Sequence, residues 1–246
     1  MDDTQTPSKY KRILLKMSGE VLSGDSTSPI SPSVLNRLMT EVTAIHQMGV
    51  QIAIVIGGGN YCRGVPLSEA GLSRVTGDHM GMLATMMNAL ALRDCFEQQG
   101  VSTAVMSALP ISGVLEAFNA RQAIKSLEQG CVVIFAGGTG NPYVTTDSAA
   151  SLRGSEIQAD IILKATNVDG VYEVDPKKNP EAKRFERLTF EECLQKKLAI
   201  MDFIAFRQCQ ENHLPIIVFN LTKPGALFNV MTGKNEGTLI EVKNDK

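Results

Sequence analysis

The chain has 246 residues, with 24 Lys plus Arg against 26 Asp plus Glu and a formal net charge of -2. Hydrophobic residues make up 43% and charged residues 20%, which permits a sizeable core and supplies no general pull toward nucleic acid or membrane. Five cysteines without a C-x-x-C pair, three histidines without metal-ligand spacing and the absence of a long apolar run argue against a disulfide framework, a zinc site and a membrane span. The polar, acidic start MDDTQTPSK argues against a signal peptide, so the cytoplasm is the expected compartment and residues 1–9 a flexible lead-in.

RILLKMS (12–18) reads as the first strand. Ser31 and Pro32 suit an N-cap and first helical residue, and Val34, Leu35, Leu38, Met39, Val42 and Ile45 recur at helical spacing until Gly49. VQIAIVI (50–56) is the next strand. Asp78 is expected to open a long helix through Gln99, with Met80, Leu83, Met87, Leu90 and Ala91 on its apolar side as core or subunit interface. Strands are predicted at 101–107, 131–136 and 160–165, with helices at 119–130 and 145–159 between them. After a charged loop (176–188) come helical patterns over 189–212, a strand at 215–220, a short helix after Lys223-Pro224-Gly225 and a last strand at 237–242. Doubly apolar strands that alternate with helices predict an α/β fold, a three-layer sandwich with a mostly parallel central sheet flanked by helices.

Ligands of such sheets bind beyond the carboxyl ends of the strands. Three glycine-bearing loops sit there: KMSGE (16–20), IGGGNYCRG (56–64) and AGGTGNPYVTTD (136–147). Glycine lets backbone N–H groups approach an anion, and a helix starting just beyond adds donors and partial positive charge. Neither the P-loop pattern nor the G-x-G-x-x-G spacing occurs, which disfavours P-loop and nicotinamide enzymes. Lys16, after Ile13-Leu14-Leu15, is either a snorkelling lysine or a cation fixed on a transferring phosphoryl group; Arg63 is a second cation or a solvated loop residue. No Ser-His-Asp or Cys-His set appears, and no histidine base. A phosphate acceptor needs none, because a phosphomonoester with a second pKa near about 6 is already a nucleophile at neutral pH. Holding two anions in line and neutralising the charge between them then suffices.

KRILLKMSGE, VIGGGNYCRG, GDHMGMLATMMN, GTGNPYVTTDSAA, LKATNVDGVYEVDP and NLTKPGAL, in this order, resemble the bacterial uridylate (UMP) kinases of the amino-acid-kinase superfamily, from about Tyr10 to Val242. The resemblance implies a single amino-acid-kinase domain over 10–246, with an acceptor half (about 10–160) and a donor half (about 161–246). It implies MgATP plus UMP giving ADP plus UDP in pyrimidine biosynthesis, no resident metal, a homohexamer and feedback inhibition by UTP. Carried onto matching positions, the ATP region comprises Lys16, Met17, Ser18, Gly19, Gly59, Arg63, Thr166, Tyr172 and Asp175. The UMP region comprises Gly58, Asp78 and the span Thr139, Gly140, Asn141, Pro142, Tyr143, Val144, Thr145 and Thr146. Asp78 can accept from ribose hydroxyls or cap its helix, and Thr145 and Thr146 with local backbone can read the uracil edge. Asp147 would by sequence alone cap a helix; the resemblance makes it the organiser of Lys16, so Lys16 and Asp147 are the expected catalytic pair. Lys164 and Asp202 are read as structural, and Asp175 before Pro176 also suits a turn. GDSTSPI (24–30) departs from the glycine-rich effector segment of some members, which puts GTP activation in doubt. Two rival readings are a sibling carboxylate or carbamate kinase and a non-catalytic nucleotide sensor.

Overall fold

The computed structural model describes residues 7–243, apart from 25–26, 63–70, 175, 177 and 180. In chain order the elements are β1 (Arg12–Met17), α1 (Pro32–Gln47), β2 (Gln51–Ile56), α2 (Arg74–Gln98), β3 (Thr103–Ser107), β4 (Glu116–Ala117), α3 (Ala120–Glu128) and β5 (Val132–Ala136). They continue with α4 (Thr146–Glu156), β6 (Ile161–Thr166), β7 (Arg187–Thr189), α5 (Phe190–Gln195), α6 (Phe203–Glu211), β8 (Ile216–Asn220), α7 (Ala226–Met231) and β9 (Thr238–Glu241). The described strands form one sheet in the order β4-β3-β5-β2-β1-β6-β8-β9-β7. Its pairings are parallel except β8 with β9.

Strand alternation builds a core on each face. Ile13, Leu15 and Met17 pack with Leu38 and Met39 of α1, Met86 and Phe96 of α2, and Leu227 of α7. Leu14 and Ile162 turn the other way, against Ala149 and Ala150 of α4 and Phe206 of α6. Lys16 shares the Leu14 side of β1, and Lys164 the Ile162 side of β6, so both lysines emerge beside α4 at the ends of their strands.

Several boundaries differ from the sequence-based expectations. The long helix begins at Arg74, and Ser73 is its N-cap, accepting from the Thr76 N–H; Asp78 lies one turn inside and does not cap. Its buried face carries Met82, Met86, Ala89 and Phe96, whereas Met80, Leu83 and Met87 are 38%, 51% and 44% exposed. A helix apolar around most of its circumference does not tell by periodicity which side meets the sheet. The charged loop contributes an edge strand, β7, whose pairing with β9 a polar sequence does not announce. The helical stretch 189–212 is two helices: α5 starts with a capping box from Thr189 and Glu192, and Asp202 caps α6. Lys9, expected in the flexible lead-in, donates its backbone N–H to the Met231 carbonyl.

Candidate active site

The order β5-β2-β1-β6 brings the loops after these strands side by side. Helix α2 holds two of them. Asn88, fully buried, donates to the Gly57 carbonyl at 2.7 Å, and its amide pairs reciprocally with that of Asn60 at 2.8 and 2.9 Å. One turn earlier the Thr85 hydroxyl accepts from the Gly137 N–H at 2.8 Å. Asp78 accepts from the Tyr143 N–H at 2.7 Å and from Arg74 Nε at 2.8 Å. Asp78, Gly81, Thr85 and Asn88 fall on one helical face, so a single rigid element grips both glycine loops. At Gly58 a Cβ would stand 2.5 Å from the Gly81 carbonyl oxygen and 2.8 Å from the Ala84 Cβ, so only glycine lets the loop lie this close to the helix.

Between the helix and the loops lies a cavity of about 430 Å³. Of the expected acceptor residues, Gly58, Asp78, Thr139, Val144, Thr145 and Thr146 line it, joined by Gly59 and by Arg74 and Cys62. Gly140, Asn141, Pro142 and Tyr143 form the outer turn and are not on its wall. Tyr143 is 66% exposed with φ 66°, its ring 5.6 Å from the Arg74 guanidinium. Thr145 uses its hydroxyl locally: it accepts from the Asp147 and Ser148 N–H groups as the cap of α4 and donates to Asp202. The Thr145 hydroxyl, expected to read a base edge, is thus engaged within the protein.

Gly77 and Gly81 sit inside α2 although glycine there is unfavourable by about 1 kcal/mol each relative to alanine. A Cβ on Gly81 meets nothing within 4 Å, and the residue lines the cavity. Gly81→Ala is therefore expected to raise the ligand-free melting temperature by a few degrees, from about 1 kcal/mol of helix propensity. It should also weaken occupancy of the cavity several-fold; thermal unfolding and calorimetric binding read the two opposite signs.

Beside the Thr145–Thr146 wall stands a buried charge centre. Asp147 Oδ1 lies 2.7 Å from Lys16 Nζ, and Oδ2 lies 2.7 Å from Lys164 Nζ. The Lys164 contact is an aligned hydrogen bond, whereas the Lys16 contact is an ion pair outside hydrogen-bonding angles. Burial alone would push the Asp147 carboxyl up; the two ammonium charges overcome this and hold it below the usual value. Burial pulls the Lys164 ammonium below its ordinary range, the Asp147 carboxylate opposes this and the Lys16 charge adds to it. Lys164 also donates to the Ile200 carbonyl, and Asp202 accepts from Thr145 and Ser148. These two residues, expected to be structural, thus belong to the centre.

On the expected donor side, Met17 is fully buried and its carbonyl accepts from the Gly57 N–H, leaving Ser18 and Gly19 at the turn that follows. Thr166 spends its hydroxyl on the carbonyls of Val168 and Phe219, and Tyr172 donates to Asp169 at 2.5 Å. Neither lines the 430 Å³ cavity. Arg63, Asp175 and part of the segment 24–30 lie outside the described residues. Among the described residues no group of His, Cys, Asp and Glu gathers to hold a metal, and no helix is long and apolar enough to cross a membrane.

Residues 11–220 match the sequence model of the amino acid kinase family. The chain belongs to the amino acid kinase family. Within that family it is 59% identical to a uridylate kinase of Coxiella burnetii over 232 residues, 94% of this chain and 96% of the relative. It is 54% identical to a uridylate kinase of Pseudomonas aeruginosa over 233 residues, 95% of each. Among solved members, UMP kinase from Bacillus anthracis superposes with a TM-score of 0.92 at 36% identity, covering 96% of this chain and 97% of the other. UMP kinase from Ureaplasma parvum gives 0.90 at 39% identity, covering 95% and 99%.

Proposed function

We propose that the chain transfers the γ-phosphoryl group of MgATP to UMP, giving UDP. The observation that carries this reading is the Lys16–Asp147 pair at 2.7 Å, standing beside a glycine-rimmed cavity in a chain so close to uridylate kinases along almost its whole length. UMP brings its own nucleophilic oxygen, so the site needs no base. Its phosphate meets the backbone amide of Gly58, the Gly59 amide serves the donor phosphates, and Lys16 spans the gap between them; Mg²⁺ carried with the ATP would neutralise donor charge there. A coupled ADP-release assay with UMP, CMP, dUMP and small carboxylic acids tests the reading. Turnover with UMP supports it; turnover confined to a small acid, or nucleotide binding without turnover, replaces it with one of the rivals.

Asp78 takes the ribose hydroxyls, keeping acceptor capacity beyond its bonds to Arg74 and Tyr143. Asp78→Ala should raise KM for UMP about ten- to a hundredfold, the loss of one or two charge-assisted hydrogen bonds, with KM for ATP almost unchanged. A change confined to ATP would remove Asp78 from the acceptor site.

The acceptor half extends over about 10–160 and the donor half over 161–246. The outward Met80, Leu83 and Met87 of α2, with Leu72 and Val75 at its start, supply an apolar face suited to self-association and support a homohexamer. UTP carries the same uridine as UMP and would compete with it for the 430 Å³ cavity, which is the reading of feedback inhibition that follows from the acceptor assignment. All five cysteines are free, which suits a reducing compartment such as the cytoplasm and a place in pyrimidine nucleotide synthesis.

A further inference from the structure

We infer that Lys164 is a positioning residue for phosphoryl transfer, acting through Asp147 to aim and hold Lys16. The assignment rests on the chain being a UMP phosphoryl-transfer enzyme.

Lys16 and Lys164 are register partners across the parallel pair β1–β6 and leave the sheet on the same face. Two ammonium groups on adjacent strands, each side chain 13% exposed, repel one another, and core packing gives no reason for the arrangement. A single lysine facing a single carboxylate would be neutral. Two lysines sharing Asp147 leave one ammonium more than that carboxylate can neutralise, with Asp202 as the next carboxylate acting on Lys164.

The two contacts with Asp147 are unequal. Lys164 donates an aligned hydrogen bond to Oδ2 and a second to the Ile200 carbonyl, so it is fixed from two sides. Ile200 leads into Asp202, which caps α6 and takes the hydroxyls of Thr145 and Ser148. Lys16 meets Oδ1 off-axis, and that oxygen has no aligned donor. The carboxylate is thus oriented by Lys164, through a bond that does not involve the reacting groups. Lys16 is tethered by charge while its N–H groups stay free to turn to a phosphoryl oxygen. Without Lys164, Asp147 can rotate onto Lys16 and draw those N–H groups away from the transfer position.

Lys164→Met keeps the length of the side chain and leaves a neutral Lys16–Asp147 pair, so folding is not threatened. The expected result is a kcat about ten- to a hundredfold lower, KM for UMP and ATP within about threefold, and a melting temperature within a few degrees of the parent. Lys164→Arg should recover part of the loss. The decisive measurement is a double-mutant cycle with Asp147→Asn. If Lys164 works through Asp147, adding Lys164→Met to that background should lower kcat by less than about threefold further. Full additivity would overturn the inference, as would an unchanged kcat in the single variant. So would a loss seen only in melting temperature, the outcome expected if Lys164 merely holds the Ile200 carbonyl. The parent enzyme's turnover with UMP, measured alongside, tests the underlying reading separately: its absence would reject that reading, whereas the cycle judges Lys164 alone.

Discussion

Lys16→Ala is expected to lower kcat on the order of a hundredfold or more while KM for UMP and the melting temperature change little. The ammonium sits at the end of β1, 2.7 Å from Asp147 with its side chain 13% exposed, where the low local dielectric strengthens its action on a charge that shifts during transfer. On the proposed reading UMP is held mainly by groups on α2 and the glycine loops, so binding survives. Folding survives as well, because Asp147 retains Lys164 as its ion-pair partner. Steady-state ADP release with saturating UMP and ATP, backed by single-turnover measurements, reads the effect. An unchanged kcat would remove Lys16 from the chemistry.

Asp147→Asn should damage both activity and folding. It neutralises the carboxylate between two register-paired ammonium groups and leaves them facing each other in a buried site. Breaking a buried ion pair by removing one partner costs about 3–5 kcal/mol, here about 10 °C in melting temperature for a chain of this size. The pH dependence follows from the direction of each shift. In the parent, the Asp147 carboxyl is held down, so its contribution to stability is complete above its unfolded value of about 4 and disappears as pH falls through the lowered folded value. The gap between parent and variant should therefore narrow toward acid. It should also narrow as pH rises toward the ordinary lysine range: burial already depresses the Lys164 ammonium, and losing its carboxylate partner lets it shed its proton more readily. A gap that stays constant from about pH 3 to 10 would show that the ion pairs do not govern the loss.

What the sequence revealed followed from which signals are local. Strand and helix order could be read because doubly apolar runs alternate with 3.6-residue patterns, and the loops stood out because glycines and Lys16 occur at strand ends, where burial needs a reason. Thr85 and Asn88 escaped notice. Their partners are backbone groups of Gly137 and Gly57, 52 and 31 residues away, and a single Thr or Asn on an apolar helix reads as ordinary. The only clue was that they share a helical face with Asp78. Asp78 reads as the start of α2 because Asp is a good cap, but Ser73 lies five residues upstream and takes that role. Lys164 reads as structural in the sequence, since its pairing with Lys16 depends on the β1–β6 register, which no window of one strand contains.

That register has a consequence for how sequence change can reach the chemistry. Every residue from Ile13 to Lys16 is matched with one from Ile161 to Lys164, and the alternation that buries Leu14 and Ile162 is the same one that sets the lysines abreast. Sliding either strand by a single position would turn its oily side chains toward the wrong layer before it parted the two cations. The alignment of the two lysines is thus guarded by selection for folding itself. Mutations can wear down the cations one at a time, but they cannot drift out of step without the whole sheet failing first.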